Sequence, residues 1–463
     1  MRPVRLPLAA LAAAIVAATW MQPRIRARAE PPPLLVTQVL EFALPPQVYD
    51  VTDAALDLNG NLIVAGITGS PFFPTTADAA DRTCGTEGDV VVMVYSPRGA
   101  LRYATCLGGP GTDEQARVAP SADGAIWVAA SEFAFAAEPG YSTTGARVAL
   151  WRIRPGVSGG QEHMWVGGPE MLGDIADLAA LPDGSVWVLA TAESKNITLK
   201  DAWQPVSGGG WDILVSRFAP GRTDPLVLTY LGGSGYECAS ALAVAPDGDA
   251  VVTGVARTAD FPLVRPLQAA HGGGYEDTVL ARVDASGRWI EYSTFLGGSG
   301  NEYTSWVAVG EDGRVFVAGG ATSPDFPPGV ELAAGQSTRG LYFATVDEIG
   351  RLESLTLIRT GAAPVLSITA RPDGLLTHVG GYACGCYYVS VTDQGGRVVA
   401  GPVLAPRCIG PYCPVKAIAS RPREIYIVGE KGEWPNRTRW VRKFRIRFPM
   451  PGDEPSAGTH DRR

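Results

Sequence analysis

The 463-residue sequence is poor in charge, in lysine and in histidine. Charged residues make up 19% of the chain, lysine occurs five times and histidine four times. Hydrophobic residues reach 46%, so the composition excludes an acidic disordered chain, a coiled coil and a bundle of long helices. The formal net charge is −8. Because an acidic surface repels phosphate backbones, we expect no nucleic-acid partner.

Catalytic signatures are absent as well. The chain contains no H-E-x-x-H and no phosphate-loop pattern. Lysines that could act as general bases or form Schiff bases are scarce. The sequence alone therefore gives no reason to assign a reaction.

The N-terminus is typical of an export signal. Arg2 and Arg5 precede an apolar run at 6–21, and Ala27-Arg28-Ala29 matches a cleavage site. We predict residues 1–29 as a signal peptide of a secreted or cell-surface protein. The arginines between the apolar run and this site would also fit a short uncleaved anchor. No later run is long enough to cross a bilayer, so we expect no membrane span in the mature chain.

Glycine and proline are abundant, with 56 and 37 residues. A turn dipeptide recurs every 60 to 65 residues between two apolar runs, which predicts hairpins because glycine tolerates a positive φ. Its six copies are Asn59-Gly60, Asp123-Gly124, Asp183-Gly184, Asp247-Gly248, Asp312-Gly313 and Asp373-Gly374. A degenerate seventh copy lies at 417–429.

Each repeat contains the same further parts. An alanine stands before the turn at a fixed offset, an apolar strand follows the turn, and a fourth strand ends in Leu-Gly-Gly or a related triplet. The alanines are Ala55, Ala119, Ala179, Ala243 and Ala308. Four short antiparallel strands in each unit of about 60 residues predict an all-β fold, a seven-bladed β-propeller.

The two ends of the chain predict how the ring closes. Residues 37–45 (TQVLEFALP) resemble a fourth strand that stands before the first repeat, and the last repeat has no fourth strand of its own. The N-terminal strand should therefore complete the last blade and remove the exposed sheet edges. We predict one domain at 30–450, a disordered tail at 451–463, and a monomer.

Two units carry a family resemblance. The segments Leu228-Thr-Tyr-Leu-Gly-Gly-Ser-Gly and Tyr292-Ser-Thr-Phe-Leu-Gly-Gly-Ser-Gly, each followed by an Asp-Phe-Pro triplet at Asp260 and Asp325, resemble the bacterial seven-bladed β-propeller repeat family. The match is closest over about 200–330 and is lost in the last two repeats. The resemblance implies a propeller on an exported bacterial protein, and it supplies no catalytic residues.

Acidic residues recur in the connections that enter each repeat. Three lie ten residues before the turn aspartate and two lie nine before it, as a set Asp113, Glu237, Glu302, Asp50 and Asp174. If the connections share one face, these carboxylates would circle the mouth of the channel and could attract cations or hold Ca²⁺. The alternative is that each carboxylate caps backbone N–H groups in its own turn.

A second acidic set, Asp89, Asp212 and Asp277, follows glycine-rich turns at the start of the third strands. The spacing of a calcium-binding hand is missing, so turn chemistry is the better interpretation.

Long loops between second and third strands carry the candidate binding residues Trp203, Trp211 and Tyr275. Aromatic side chains in long loops on a rigid scaffold suit a sugar ring or a protein partner, although packing between blades is the alternative. The repeated Phe-Pro pairs of these loops are better explained as fillers between blades.

The seven cysteines suggest disulfides in an exported chain. Cys84 and Cys106 flank one third strand and could pair. Cys384, Cys386, Cys408 and Cys413 form a cluster that could make two disulfides or hold Zn²⁺, and Cys238 is left over.

These observations predict a non-catalytic binding module that takes a protein or glycan through its long-loop face, without a required cofactor. The alternative is a hydrolase or lyase with Ca²⁺ at the channel mouth.

Overall fold

The computed structural model describes residues 35–447 apart from 110, 134–145, 168–172, 194–196, 327–339, 359–364, 371–375, 382–386, 393–397, 405–414, 422–423 and 432–436. These described residues form 28 β-strands and no helix. The predicted signal peptide, tail and cysteine cluster at 384–413 lie outside them. No helix that could span a membrane occurs in this part of the chain.

The strands make four-stranded antiparallel sheets, and in all of them except the sheet that contains the first strand of the chain the strand order follows the sequence. The first four sheets and their strands are as follows. Sheet 1 contains β2 (Val48–Leu56), β3 (Leu62–Thr68), β4 (Asp89–Tyr95) and β5 (Leu101–Leu107). Sheet 2 contains β6 (Thr112–Pro120), β7 (Ile126–Phe133), β8 (Ala146–Ile153) and β9 (Gln161–Trp165). Sheet 3 contains β10 (Gly173–Ala180), β11 (Val186–Ala192), β12 (Asp212–Phe218) and β13 (Val227–Leu231). Sheet 4 contains β14 (Glu237–Val244), β15 (Ala250–Ala256), β16 (Asp277–Val283) and β17 (Ile290–Leu296).

Three further sheets complete the described strands. Sheet 5 contains β18 (Glu302–Val309), β19 (Val315–Ala321), β20 (Gly340–Val346) and β21 (Leu352–Ile358). Sheet 6 contains β22 (Val365–Ala370), β23 (Leu376–Gly381), β24 (Tyr387–Thr392) and β25 (Val398–Leu404). Sheet 7 contains β26 (Val415–Arg421), β27 (Glu424–Lys431), β28 (Thr438–Arg447) and β1 (Leu35–Ala43), which pairs with β28.

The sheets stand around an axis with their first strands innermost. The first strand of each sheet contacts the first strand of the next, and β26 of sheet 7 contacts β2 of sheet 1. This arrangement is a β-propeller, so the prediction of an all-β propeller of four-stranded antiparallel sheets is confirmed.

The core lies between neighbouring sheets. Side chains alternate along each strand, so one strand supplies two layers. In β15, Val252 packs against sheet 3 and Val251 against sheet 5. Both faces of the middle strands are buried, which explains their apolar runs without alternation.

Two tryptophans tie neighbouring sheets together at the turn edge. Trp127 Nε1 donates to the carbonyl of Gly184 (3.0 Å), and Trp187 Nε1 donates to that of Gly248 (2.9 Å). Both acceptors are glycines of the repeated turns, where φ is +86° and +94°. A left-handed φ of this kind is what glycine adopts without strain, as the turn prediction requires.

Candidate binding face

The long loops and the inter-sheet connections lie at the same edge of the sheets. In three sheets, the residue before the third strand accepts a hydrogen bond from the first or second residue of the next sheet. The N–H groups of Asp113, Glu237 and Glu302 donate to the carbonyls of Gly88 (2.8 Å), Trp211 (2.8 Å) and Glu276 (2.9 Å). We call this edge the long-loop face.

The predicted ring of acids is divided into two sets by strand register. Asp113 pairs with Glu132, Glu237 with Ala256 and Glu302 with Ala321, all at the same distance from the turn that precedes the second strand. Asp50 and Asp174 pair one position earlier, with Ile67 and Thr191. Because side chains alternate along a strand, this difference of one residue turns the second set to the other side.

Asp50 and Asp174 lie at the inner strands and are half-buried. Asp50 accepts the N–H of Val51 (2.9 Å) and lines a cavity of about 300 Å³ together with Tyr49, Glu114 and Arg117. Asp174 belongs to the same register position in sheet 3.

The other three acids are fully buried, and each has an acid of the second set as its neighbour. The carboxylates of Glu237 and Asp212 approach the same side of Gly232, and the charge of Asp277 acts on Glu302. Asp113 lies beside Asp89, since both carboxylates approach the same side of Gly108. The two acidic patterns are thus partners across three sheet junctions, which spacing alone did not predict.

Each pair is also held by backbone donors. Glu237 Oε2 accepts the N–H of Gly233 and Glu302 Oε2 accepts that of Gly298, both at 2.8 Å. Asp212, the partner of Glu237, also has a backbone donor, because its Oδ2 accepts the N–H of Gly208 at 3.0 Å. Glu237 and Glu302 therefore cap local turns, as the alternative interpretation of the acids expects, whereas neither carboxylate oxygen of Asp113 has a hydrogen-bond partner among the described residues.

Burial sets the protonation of these pairs. It raises the pKa of Glu237 to about 8, with the Asp212 and Asp260 charges adding to the rise. It raises the pKa of Glu302 to about 7, and the charge of Asp277 adds to this. It raises the pKa of Asp113 to about 9, helped by Glu132 and Asp89. Two carboxyl groups can be hydrogen bonded only if one of them carries a proton, and the raised pKa values favour such a shared proton in each pair.

No group of three or more histidine, cysteine, aspartate or glutamate side chains able to hold a metal ion occurs in the described part of the chain. His271 is used locally, because its Nδ1 accepts the N–H of Gly273 (3.2 Å) and its Nε2 lies 3.3 Å from the carbonyl of Ala256.

Exposed aromatic rings gather on the long-loop face of sheets 3 and 4. Trp211, Tyr236 and Tyr275 are 38%, 50% and 62% exposed. The Trp211 and Tyr236 rings meet edge to face with centroids 6.0 Å apart. We call these three residues and Arg257 the aromatic patch.

Arg257 links the two halves of the patch. Its N–H donates to the carbonyl of Tyr236 (3.0 Å), and its guanidinium carbon lies 4.5 Å from the centre of the Tyr275 ring. Its side chain also donates to Tyr275 Oη and to Glu276 Oε2, both at 3.1 Å. The guanidinium is therefore fixed over the ring by one cation–π contact and two hydrogen bonds.

Among the predicted aromatic residues, Trp211 and Tyr275 belong to this patch, whereas Trp203 packs against the core between sheets 3 and 4. Tyr236 was missed because it lies in a connection between sheets, and Arg257 was missed because only the aromatic residues of its long loop were singled out. The phenylalanines of the Phe-Pro pairs, Phe73, Phe261 and Phe326, are buried, as their interpretation as fillers requires.

The predicted disulfide between Cys84 and Cys106 is confirmed, with Cα atoms 5.5 Å apart. It ties the long loop of sheet 1 to β5. Cys238 is a free, half-buried thiol.

No protein-family model and no curated protein matches this chain. Solved structures do, at low identity. One is a protein of unknown function from Dyadobacter fermentans DSM 18053, with 12% identity, a TM-score of 0.44, and coverage of 89% of this chain and 99% of that one. Another is a prolyl endopeptidase, with 12% identity, a TM-score of 0.41, and coverage of 88% of this chain and 51% of that one. A third is the Pan2 WD40 domain of Neurospora crassa, with 10% identity, a TM-score of 0.43, and coverage of 88% and 95%.

Proposed function

We propose that this protein is an exported bacterial β-propeller that binds a glycan through the aromatic patch and has no chemistry of its own. We further propose that the seven sheets are its full set of blades, with β1 as the closing strand, and that it belongs to the bacterial propeller repeat family. The observation that carries the functional proposal is the exposed, fixed constellation of Trp211, Tyr236, Arg257 and Tyr275.

The chemistry of the patch favours a glycan over other ligands. Aromatic side chains present a flat apolar face next to a polar edge, and the C–H faces of a sugar ring match such a surface. Arg257, Glu276 and Asn301 supply hydrogen-bonding groups around the rings for hydroxyl groups. A few placed polar groups around an apolar surface are what orients a small ligand.

The rigidity of the patch supports the same proposal. Its residues adjoin strands that are hydrogen bonded across the junctions between sheets 3, 4 and 5. A surface that is ordered before binding loses little conformational entropy on binding.

The disulfide supports an oxidising compartment, since disulfides persist in secreted and surface proteins. A secreted or cell-surface location fits the N-terminal export pattern of the sequence.

The test is a glycan array followed by calorimetry with the oligosaccharide that gives the strongest signal. We expect Trp211→Ala and Tyr275→Ala each to weaken binding by about tenfold or more, which is what loss of an aromatic anchor of about 1.4 kcal/mol or more produces. Phe72→Ala is the matched control, because Phe72 is 82% exposed in the long loop of sheet 1, outside the patch.

Unchanged affinity in the folded double variant Trp211→Ala/Tyr275→Ala would exclude the patch as the site. If no glycan on the array binds, but the wild type captures a protein that the double variant does not, then the ligand of the patch is a protein and not a glycan.

A further inference from the structure

The aromatic patch lies directly above two of the buried carboxyl pairs. Trp211 precedes Asp212 in the chain, Tyr236 precedes Glu237, and Glu276 precedes Asp277. The carbonyls of Trp211 and Glu276 accept the N–H groups of Glu237 and Glu302. The backbone that positions the rings is therefore the same backbone that positions the pairs.

The first pair is enclosed by a small set of groups. Glu237 is fully buried and its partner Asp212 likewise. Asp260 is the further charge that acts on Glu237, from the loop after β15. Cys238 follows Glu237 in β14, and the charges of Arg257 and Glu276 act on its thiol.

The second pair has a comparable enclosure. Glu302 and Asp277 are fully buried, and Ser323 Oγ donates to Glu302 Oε1. Asp325 is the further charge that acts on Asp277, and His271 Nδ1 lies 3.7 Å from Asp277 Oδ2. Removal of the shared proton from either pair would leave two buried carboxylates in contact, a costly arrangement.

Steric crowding makes this repulsion hard to relieve. The first glycine of each Leu-Gly-Gly triplet has no space for a side chain, because the pair fills it. A Cβ at Gly232 would collide with Asp212 and Glu237, and one at Gly297 would collide with Asp277. The carboxylates can separate only if the strands β12 and β14, or β16 and β18, move apart.

We propose that binding at the aromatic patch is proton-regulated, because the pairs Asp212–Glu237 and Asp277–Glu302 hold its backbone in place while each keeps its proton and loosen it when that proton passes to solvent. This inference rests on the proposed function for its ligand, but the loosening itself does not.

The sign and range of the effect follow from the titration of the pairs. The pKa of Glu237 is raised to about 8 and that of Glu302 to about 7, chiefly by burial. An acid whose pKa is raised on folding stabilises the fold below its unfolded pKa, and this stability is lost as pH rises through the folded value. The patch should therefore be ordered at pH 6 and loosened by pH 9.

The experiment needs no ligand for its first part. Melting temperature and acrylamide quenching of Trp211 fluorescence, taken as the difference between wild type and Trp211→Phe, are measured from pH 6 to pH 9. We expect the wild type to lose several degrees and to become more quenched. The double variant Glu237→Gln/Glu302→Gln should be flat in both, because each amide can donate as the protonated acid does.

Two controls separate this effect from charge removal in general. Glu114→Gln removes an exposed acid of β6 and should follow the wild type. Asp113→Asn removes the third pair, which lies away from the patch, so it should reduce the pH slope of stability and leave the quenching of Trp211 unchanged. If the double variant does not fold, the single Glu302→Gln variant is expected to halve the quenching change.

The second part measures the array-selected oligosaccharide at pH 6 and pH 9. With a pKa of about 8, about a tenth of the Glu237 pairs keep the proton at pH 9, so wild-type affinity should fall about tenfold and that of the double variant should not. Equal affinity at both pH values overturns the regulation while the proposed function stands.

The proton link itself is overturned if neither the stability nor the quenching of the wild type changes with pH. It is also overturned if the pH dependence of the wild type persists unchanged in the double variant. If no oligosaccharide binds at any pH, the proposed function fails. The stability and quenching profiles then decide alone whether the pairs control the patch.

Discussion

At the scale of single residues, the repeated glycines are explained by the acids beside them. A Cβ on Gly108 would lie 2.7 Å from Asp113 Oδ2 and 2.8 Å from Asp89 Oδ1. The second glycine of the triplet meets the aspartate of Asp-Phe-Pro, since a Cβ on Gly298 would lie 2.7 Å from Asp325 Oδ1. The two signatures therefore form one structural unit, in which small residues leave room for buried carboxyls.

This unit predicts that Gly108→Ala destabilises the protein by about 1–3 kcal/mol, the usual cost of overpacking. Gly320→Ala is the matched control, because Gly320 lies in β19 and a Cβ there would meet only ordinary contacts with Tyr303 at 3.6 Å and 3.9 Å. Replacing a strand glycine without a clash is neutral or slightly stabilising. Urea denaturation measures both, and equal midpoints would show that the carboxyls yield without cost.

At the scale of strands, sheet 7 depends on a strand from the other end of the chain. Strand β1 pairs with β28 from Leu35 with Arg447 to Ala43 with Trp440. Phe42 extends this contact to sheet 1, where its ring lies 4.7 Å from that of Tyr95. The strand therefore covers the edge of β28 and packs against the first sheet.

We predict that deletion of residues 1–43 lowers the melting temperature by about 5 °C or more and produces oligomers, because it uncovers a long strand edge. Deletion of residues 1–34, which keeps β1, is the control and should leave both properties unchanged. Light scattering after size exclusion measures the oligomers. A monomeric 1–43 deletion with unchanged stability would show that β1 contributes nothing to closure.

Strands could be predicted from the sequence because turn spacing and apolar runs are local signals. The carboxyl pairs could not be predicted in this way, because they depend on the register between the first and second strands of each sheet. Asp113 lies ten residues before its turn and Asp50 lies nine before its own. The first strands β2, β6 and β10 each contain a register shift of the kind that a β-bulge produces. A shift of one residue in register decides whether a carboxylate is fully buried beside a second acid, as Asp113 is, or half-buried beside a cavity, as Asp50 is.

The same limit applies to the binding face. Trp211 and Tyr275 were predicted from aromatic loops, but Trp203 stands in the same kind of loop and packs into the core. Arg257 joins the patch through a backbone hydrogen bond to Tyr236, 21 residues away in sequence. Contacts of this kind depend on how neighbouring sheets are placed, and no local pattern contains that information.

At the scale of the whole molecule, charged groups connect the inner strands of neighbouring sheets. Arg117 of sheet 2 donates to the carbonyl of Ala176 in sheet 3 (2.8 Å) and to that of Thr52 in sheet 1 (3.5 Å). Asp53 accepts the N–H of Val118 (2.9 Å), and Asp177 accepts that of Leu242 in sheet 4 (2.8 Å). Four consecutive sheets are thus linked at their inner strands.

The pKa values of Asp53 and Asp177 are set by two opposing influences, burial and the charge of Arg117. Burial raises the pKa of Asp177 to about 7, and Asp53 adds to the rise, while Arg117 opposes it. Burial likewise raises the pKa of Asp53, with Arg117 as the largest opposing influence. Both acids bind protons more tightly in the folded state, so their contribution to stability declines as pH rises towards 7.

This balance predicts that Arg117→Met costs about 1–3 kcal/mol at pH 8, where it leaves Asp53 and Asp177 as unneutralised carboxylates, and less at pH 5, where both can take up a proton. Arg117→Met/Asp177→Asn should recover part of the loss at pH 8 because one buried charge is gone. Arg154→Met is the control, since Arg154 makes only an exposed ion pair with Asp123 and should change little at either pH. Denaturant unfolding at the two pH values measures all three variants. An equal loss for Arg117→Met at pH 5 and pH 8 would mean that its hydrogen bonds to the carbonyls of Ala176 and Thr52, rather than its charge, hold these sheets together.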